Sequence, residues 1–288
     1  CRSLWNWITL AGYNLLGVGT NLKFYIQNGP NGDFNDVTPI RDTATGVTNA
    51  FTTNGTTTVI VNDPGHGCIT NDFVTISNVS GPVNGIPAAS LDAEFQVTVL
   101  DSDHYSIVSP VTATSSGTPA VSANFQYQLN TGLDTFAYGV GWGAGSWGGV
   151  NYGAYTGWGE AASTGIGLQL RLWSQANFGE TLLFAPRNGS IYYWAPGAAG
   201  TPAFATRGAL VTGTEVPQQV SQIMVSDSTR ICIAFGATNI GASDFDPMLI
   251  RWSTQEDYTY WLPNSLNQAG DYKLSHGSFI VGALQTRQ

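Results

Sequence analysis

Apolar residues recur along this chain in short runs of period two, separated by Gly, Asn, Pro and Asp, which is the pattern of antiparallel strands joined by tight turns. Leu4 to Trp7, with Ile8 and Leu10, form an apolar opening, and two short runs within Tyr13–Asn28 flank Gly19-Thr20-Asn21 as an up-and-down hairpin. Asn28-Gly29 and Asn31-Gly32 read as turns because those residues tolerate positive φ, and Asp36 to Arg41 closes the unit. Phe73–Ser77, Phe95–Leu100 and His104–Val108 alternate, as does Leu168–Trp173. Thr181–Arg187 and Ser190–Trp194 meet at Asn188-Gly189, the strongest hairpin signal in the chain, and Pro186 places its strand at an edge or a bulge. Val220–Ser226 and Arg230–Phe235 pair around Asp227-Ser228; Met248–Trp252, Lys273–Ser275 and Ser278–Leu284 follow. No segment has a convincing helical period, Thr254–Tyr260 offering one or two turns.

This rhythm predicts an all-β protein made of antiparallel groups that each close on an aromatic-rich strand: Phe24-Tyr25, Tyr192–Trp194, Trp252 and Phe279. Such groups predict a β-propeller, whose blades pack face to face, with a β-sandwich as the competing architecture. Composition shifts to Thr, Asn, Ser and Val after Arg41. We therefore expect a small β-sandwich or barrel inserted at 42–127, interrupting a discontinuous propeller-like domain at 1–41 and 128–288.

Charge alters the picture most. Only 10% of residues are Asp, Glu, Lys or Arg, against about 25% in an ordinary domain, and a net charge of -9 argues against binding a polyphosphate backbone. It does not exclude a repulsive surface past which DNA slides. Cys1, Cys68 and Cys232 give neither a disulfide framework nor a zinc spacing, so buried free thiols are expected. No apolar run reaches the roughly 20 residues of a membrane helix and no signal peptide opens the chain; from its first and last residues the sequence reads as an internal piece of a longer protein.

Between Tyr138 and Gly165 glycine alternates with Tyr138, Trp142, Trp147, Tyr152, Tyr155 and Trp158, and Glu160 is the lone charge. Flexible linkers are polar, so these six rings read as a contact element packed on a partner surface of another chain, a candidate subunit interface, with packing inside the chain as the alternative.

Catalytic and ligand-binding patterns are thin. His66-Gly67-Cys68 lacks a second ligand pair for zinc, and Asp101-Ser102-Asp103 reads as a turn, not a calcium loop. His66, His104 and His276 stand near no Gly-x-Ser-x-Gly elbow. Asp244, Asp246, Glu256 and Asp257 could supply paired carboxylates for glycoside hydrolysis, but their context is that of turns. We expect no catalytic residues, no cofactor and no metal. Exposed Trp142, Trp147 and Trp158 stacking on sugars would make the chain a glycan-binding module instead.

Two resemblances extend this reading. Val61–Cys68, Asp72–Val79, Glu94–Val99 and Asp101–Ile107 resemble a small β-domain recurrent in tailed-phage virion proteins, related in pattern to one inserted in ubiquitin-activating enzymes, which implies an accessory surface module. Leu15–Tyr25, Asp36–Arg41, Gly139–Gly148, Asn177–Leu182, Arg187–Trp194, Ile250–Asp257 and Gly270–Leu274 are similar to virion proteins of tailed bacteriophages. That resemblance implies a propeller-bearing tail component of the tubular or nozzle type. It further implies a ring of copies assembled in the bacterial host cytoplasm, neighbouring tail and adaptor proteins as partners, and ejected DNA passing without sequence-specific binding. A head-bound or other virion-surface role remains an alternative.

Overall fold

The structure, a computed structural model, describes residues 1–130, 171–197 and 200–285. The chain divides into two compact units, Cys1–Thr131 with Leu172–Gln288, and Gly132–Arg171; the first is described below. Its described residues form five antiparallel sheets, with a short 3-10 turn at Ala88–Ser90.

Three of the sheets are four-stranded meanders in which sequence neighbours pair. The first holds β1 (Ser3–Ile8), β2 (Asn14–Gly19), β3 (Phe24–Asn28) and β4 (Phe34–Asp36). The second holds β14 (Trp173–Phe178), β15 (Thr181–Pro186), β16 (Tyr192–Trp194) and β17 (Ala209–Leu210). The third holds β18 (Val220–Val225), β19 (Cys232–Thr238), β20 (Phe245–Trp252) and β21 (Gly270–Lys273). Tight turns set the register of some pairs, whereas long loops join β16 to β17 and β20 to β21. β14 and β15 join through a two-residue loop with Gly179 at φ 65°, whereas five residues join β15 to β16, where Asn188 at φ 59° is the third residue of a turn closed by Gly189 N donating to Pro186 O at 2.9 Å, in place of the two-residue Asn-Gly hairpin.

The second sheet is buried on both faces. Leu182 and Phe184 of β15 point into an aromatic cluster with Trp7, Phe24, Trp173, Tyr192 and Trp194, against the first sheet. Leu183 and Ala185, at the intervening positions, point into a second cluster with Ile223, Val225, Cys232, Ala234 and Leu249, against the third sheet. Phe24 stacks on Phe184 with ring centroids 4.2 Å apart, and burying such a ring contributes about 2 kcal/mol. The three sheets thus form a face-to-face stack with the middle one covered twice.

Strands between Ile40 and Gln128 pair among themselves. β5 (Ile40–Val47), β13 (Ala123–Gln128), β8 (Phe73–Ser77) and β9 (Glu94–Gln96) make one sheet in that order. β10 (Thr98–Val99), β11 (His104–Val108), β7 (Thr58–Asn62), β6 (Phe51–Asn54) and β12 (Ser116–Gly117) make the other. Both line one core that includes Phe51, Val61, Ile76, Tyr105 and Phe125. The entering and leaving segments run together, tied by Leu129 N donating to Pro39 O at 2.8 Å.

Several sequence expectations shift. Pro186 ends β15, an interior strand, pairing with Trp173; at a strand's last position its missing N–H disrupts no ladder. The aromatic strands β3, β16 and β20 do not close their groups, because a further short strand follows each. Phe279 belongs to no strand: residues 274–285 carry no ladder, and the last strand is Gly270–Lys273, ahead of the expected Lys273–Ser275.

Candidate functional site

The six rings expected to make a subunit contact, Tyr138, Trp142, Trp147, Tyr152, Tyr155 and Trp158, lie outside the described residues. Other surfaces stand out on the stack itself. In β1, Ser3, Trp5 and Trp7 face the second sheet: Gln175 Nε2 donates to Ser3 Oγ at 2.6 Å, Trp5 Nε1 donates to Asn177 Oδ1 at 2.6 Å, and Trp7 packs on Trp194. Alternation then turns Leu4 and Ile8 outward, and they are 62% and 67% exposed. Cross-strand pairing aligns Leu4 with Val18, Tyr25 and Asp36, and Asn6 with Leu16, Gln27 and Phe34, so the outer face of the first sheet mixes apolar and polar positions.

The third sheet repeats this arrangement at the opposite end. Ile223, Val225, Cys232, Ala234 and Leu249 point inward, which leaves Met224, Ile233 and Trp252 in one outward row and Gln222, Phe235, Ile250 and Tyr272 in the next. The aliphatic and Phe and Trp members of these rows are half-buried by their own neighbours, and Tyr272 is 60% exposed. An extended segment crosses one end of the face, with Gln222 and Ala283 exchanging hydrogen bonds at 2.9 Å in both directions.

A four-charge cluster ties the Ile40–Gln128 strands to the stack. Lys23 Nζ, side chain 8% exposed, sits 2.9 Å from Asp36 Oδ2, pairs with Glu94 Oε1 and lies 4.2 Å from the Phe73 ring centroid. Arg207 reaches Asp36 at 3.0 Å and Glu94 at 3.6 Å, and Gln128 Nε2 donates to Glu94 Oε2 at 2.5 Å. Burial alone pushes the Asp36 carboxyl up, but hydrogen bonds from Lys23 and Thr38 and the charge of Arg207 outweigh it and hold the group below its ordinary value.

The motif residues noted in the sequence meet in a buried polar knot. Cys68 N donates to His66 Nδ1 at 3.0 Å, which leaves the proton on Nε2 to be donated to Asp101 O at 3.1 Å. Arg41 donates to His66 O at 2.6 Å and Cys68 Sγ at 3.3 Å. Tyr127 OH donates to Asp63 Oδ2 at 2.5 Å, and burial pushes the Tyr127 phenol and the Cys68 thiol up, the thiol to about 12. Both nitrogens of His66 are committed to the backbone, and a thiol held protonated is a poor nucleophile and ligand. Among the described residues no three His, Cys, Asp or Glu side chains converge as a metal site.

The four carboxylates, Asp246 within β20 and the others in loops, each hold a local partner. Asp244 accepts from Asn239 Nδ2 at 2.6 Å, Asp246 from Lys273 Nζ at 2.5 Å, Glu256 from Arg230 at 2.9 Å, and Asp257 from Thr259 Oγ1 at 2.6 Å. Nearby, a polar cavity of about 210 Å³ is lined by Glu215, Gln218, Asn239 and Arg251. Arg251 itself is 1% exposed and donates to Thr238 O at 2.9 Å and Glu215 O at 2.6 Å, so the guanidinium joins loops beneath the cavity wall. Sequence reasoning missed Arg251 and both outer faces. A signal for the third sheet exists in Ile231–Phe235, apolar at both parities, as in strands covered on two sides.

No protein-family model and no curated protein matches the chain. Among solved structures it is similar to the phage phi92 endosialidase, at 14% identity and a TM-score of 0.25, over 93% of this chain and 36% of that one.

Proposed function

We propose that this chain is a non-enzymatic structural component of a tailed-phage virion, its three meander sheets serving as blades of a β-propeller from which the Ile40–Gln128 strands project as an accessory module. The observation that carries the propeller is the middle sheet, buried on both faces by sheets of the same four-stranded construction; repeated face-to-face stacking of such units is how propellers grow. The virion assignment rests on the motif resemblances, and the tail-nozzle station, a ring through which DNA leaves, is their most specific reading. Scarce positive charge agrees with it, because a neutral or acidic wall lets a polyphosphate pass without sticking.

Two measurements test this. Electron microscopy of the particle carrying the chain is expected to place it in a ring on the tail axis; density in a peripheral spike or fibre would refute the nozzle. Purified protein is expected to leave duplex DNA unshifted at physiological salt, and tight binding there would remove the passage mechanism.

A further inference from the structure

The buried apolar clusters keep the Ile40–Gln128 module and the stack apart. Buried members of the module's core all lie between Ala50 and Tyr127, and those of the other two clusters lie at or before Val37 or at or beyond Trp173. The half-buried Leu129, where the chain crosses back, packs against the aromatic cluster of the stack. Away from that crossing the joint is the charged cluster. Lys23 and Arg207 of the stack converge on Glu94 of β9, which is the module's charged member of the group, and Lys23 Nζ lies over the Phe73 ring. Domains joined through polar surfaces move relative to one another by default, because no shared apolar core resists separation.

The joint is also built to open at low cost. Asp36 sits on the stack side, paired with Tyr25 in the first sheet, and holds Lys23 at 2.9 Å and Arg207 at 3.0 Å. Both cations therefore keep a partner when Glu94 leaves, which removes the penalty of a buried unpaired charge. Gln128 Nε2 donates to Glu94 at 2.5 Å while its Oε1 is buried without a partner; opening lets water supply that missing bond. The chain provides a pivot. Thr38 is fixed to the stack, its Oγ1 accepting from Phe24 N at 2.9 Å, and Arg41 to the module, donating to His66 O at 2.6 Å. Pro39 and Ile40 lie between these anchors, few enough residues to act as a hinge.

We propose that the module is a rigid body latched to the stack through Glu94, and that loss of this carboxylate's charge lets it swing about Pro39, withdrawing Leu129, with both bodies still folded. The latch stands apart from the propeller reading, since it needs only the two cores and the joint between them.

Pulsed electron paramagnetic resonance on the full chain tests it. Spin labels go on Thr58→Cys in β7 and Asp271→Cys in β21, both exposed strand positions, in a chain whose exposed Cys1 is replaced by Ser and whose Cys68 and Cys232 are buried. With Glu94 present one narrow distance is expected. Glu94→Lys sets a third positive charge against Lys23 and Arg207, and Glu94→Gln removes the charge while keeping an acceptor for Gln128. Both variants are expected to lose the narrow distance to a broad distribution and to keep Cys68 unreactive and the circular dichroism unchanged. A broad distribution with Glu94 present, a narrow distance retained in Glu94→Lys, or a Cys68 that becomes reactive in either variant would each overturn the proposal, the last because the module's core would then depend on the joint.

Discussion

Buried thiols and phenols make the sharpest claims at the scale of single residues. Burial pushes Cys232 up to about 12 and Cys68 to about 12, whereas Cys1 is exposed. A thiol-specific reagent near neutral pH is accordingly expected to label Cys1 rapidly in the native protein and the other two only after denaturation; fast native labelling of Cys232 would contradict the fold of the third sheet. Tyr127 supplies a second case. Its hydroxyl reaches the buried Asp63 carboxylate at 2.5 Å, and Tyr127→Phe withdraws that donor while preserving the ring. We expect urea denaturation to show a loss of about 1–3 kcal/mol, and an unchanged midpoint would show that Asp63 finds another donor. His66 and Cys68 were visible in the sequence as a motif without ligand partners, but the reason for their proximity, a turn closed onto the imidazole, depends on where Arg41 and Asp101 arrive from distant positions.

Interior strands carried strong sequence signals, and the short last strand of each four-stranded meander did not. Phe73–Ser77 is β8 as its alternation predicts, and the Asn188-Gly189 turn joins β15 to β16. The fourth strands Phe34–Asp36 and Ala209–Leu210 escaped notice, and Gly270–Lys273 was expected three residues late, because such a strand is short, pairs on one side and needs no apolar periodicity. Their absence from the reading made each group appear to end at its aromatic strand. Packing of sheet on sheet rests equally on small residues. A Cβ added at Gly19 would overlap the Trp173 indole, which lies against the glycine and donates to Thr20 O at 2.6 Å. Gly19→Val is expected to force the first two sheets apart and cost about 1–3 kcal/mol, measured as a lowered denaturation midpoint; the same replacement at Gly12, where nothing stands within 4 Å, isolates any cost of its φ of 84° from crowding.

Across the molecule, the cluster of Lys23, Asp36, Glu94 and Arg207 holds the Ile40–Gln128 strands against the stack. Because the folded Asp36 lies below its ordinary 3.8, its stabilisation is complete above that value and is lost as pH falls through the folded value. Asp36→Asn removes this component. The difference in Tm between wild type and variant is therefore expected to shrink as pH drops from roughly 6 to roughly 3, and a constant difference would show that Asp36 acts through packing instead. Lys23→Met tests the same joint from its positive side, with an expected loss of about 1.5–3 kcal/mol in urea unfolding. Part of this joint was hinted at by scarcity, since Lys23 is one of two lysines, but nothing local to Lys23 announces Glu94.

The sequence by itself determined the all-β class, most interior strands, the tight turns and the near absence of charge, because alternation, Asn-Gly turns and composition act over a few residues. Tertiary structure alone decided that the second sheet is covered on both faces, that Leu4 and Ile8 of the first are turned outward, and that Arg251 and Lys23 are buried. Those outcomes depend on which sheet lies beside which, and the contacts that decide it join residues more than a hundred positions apart, as Trp5 joins Asn177.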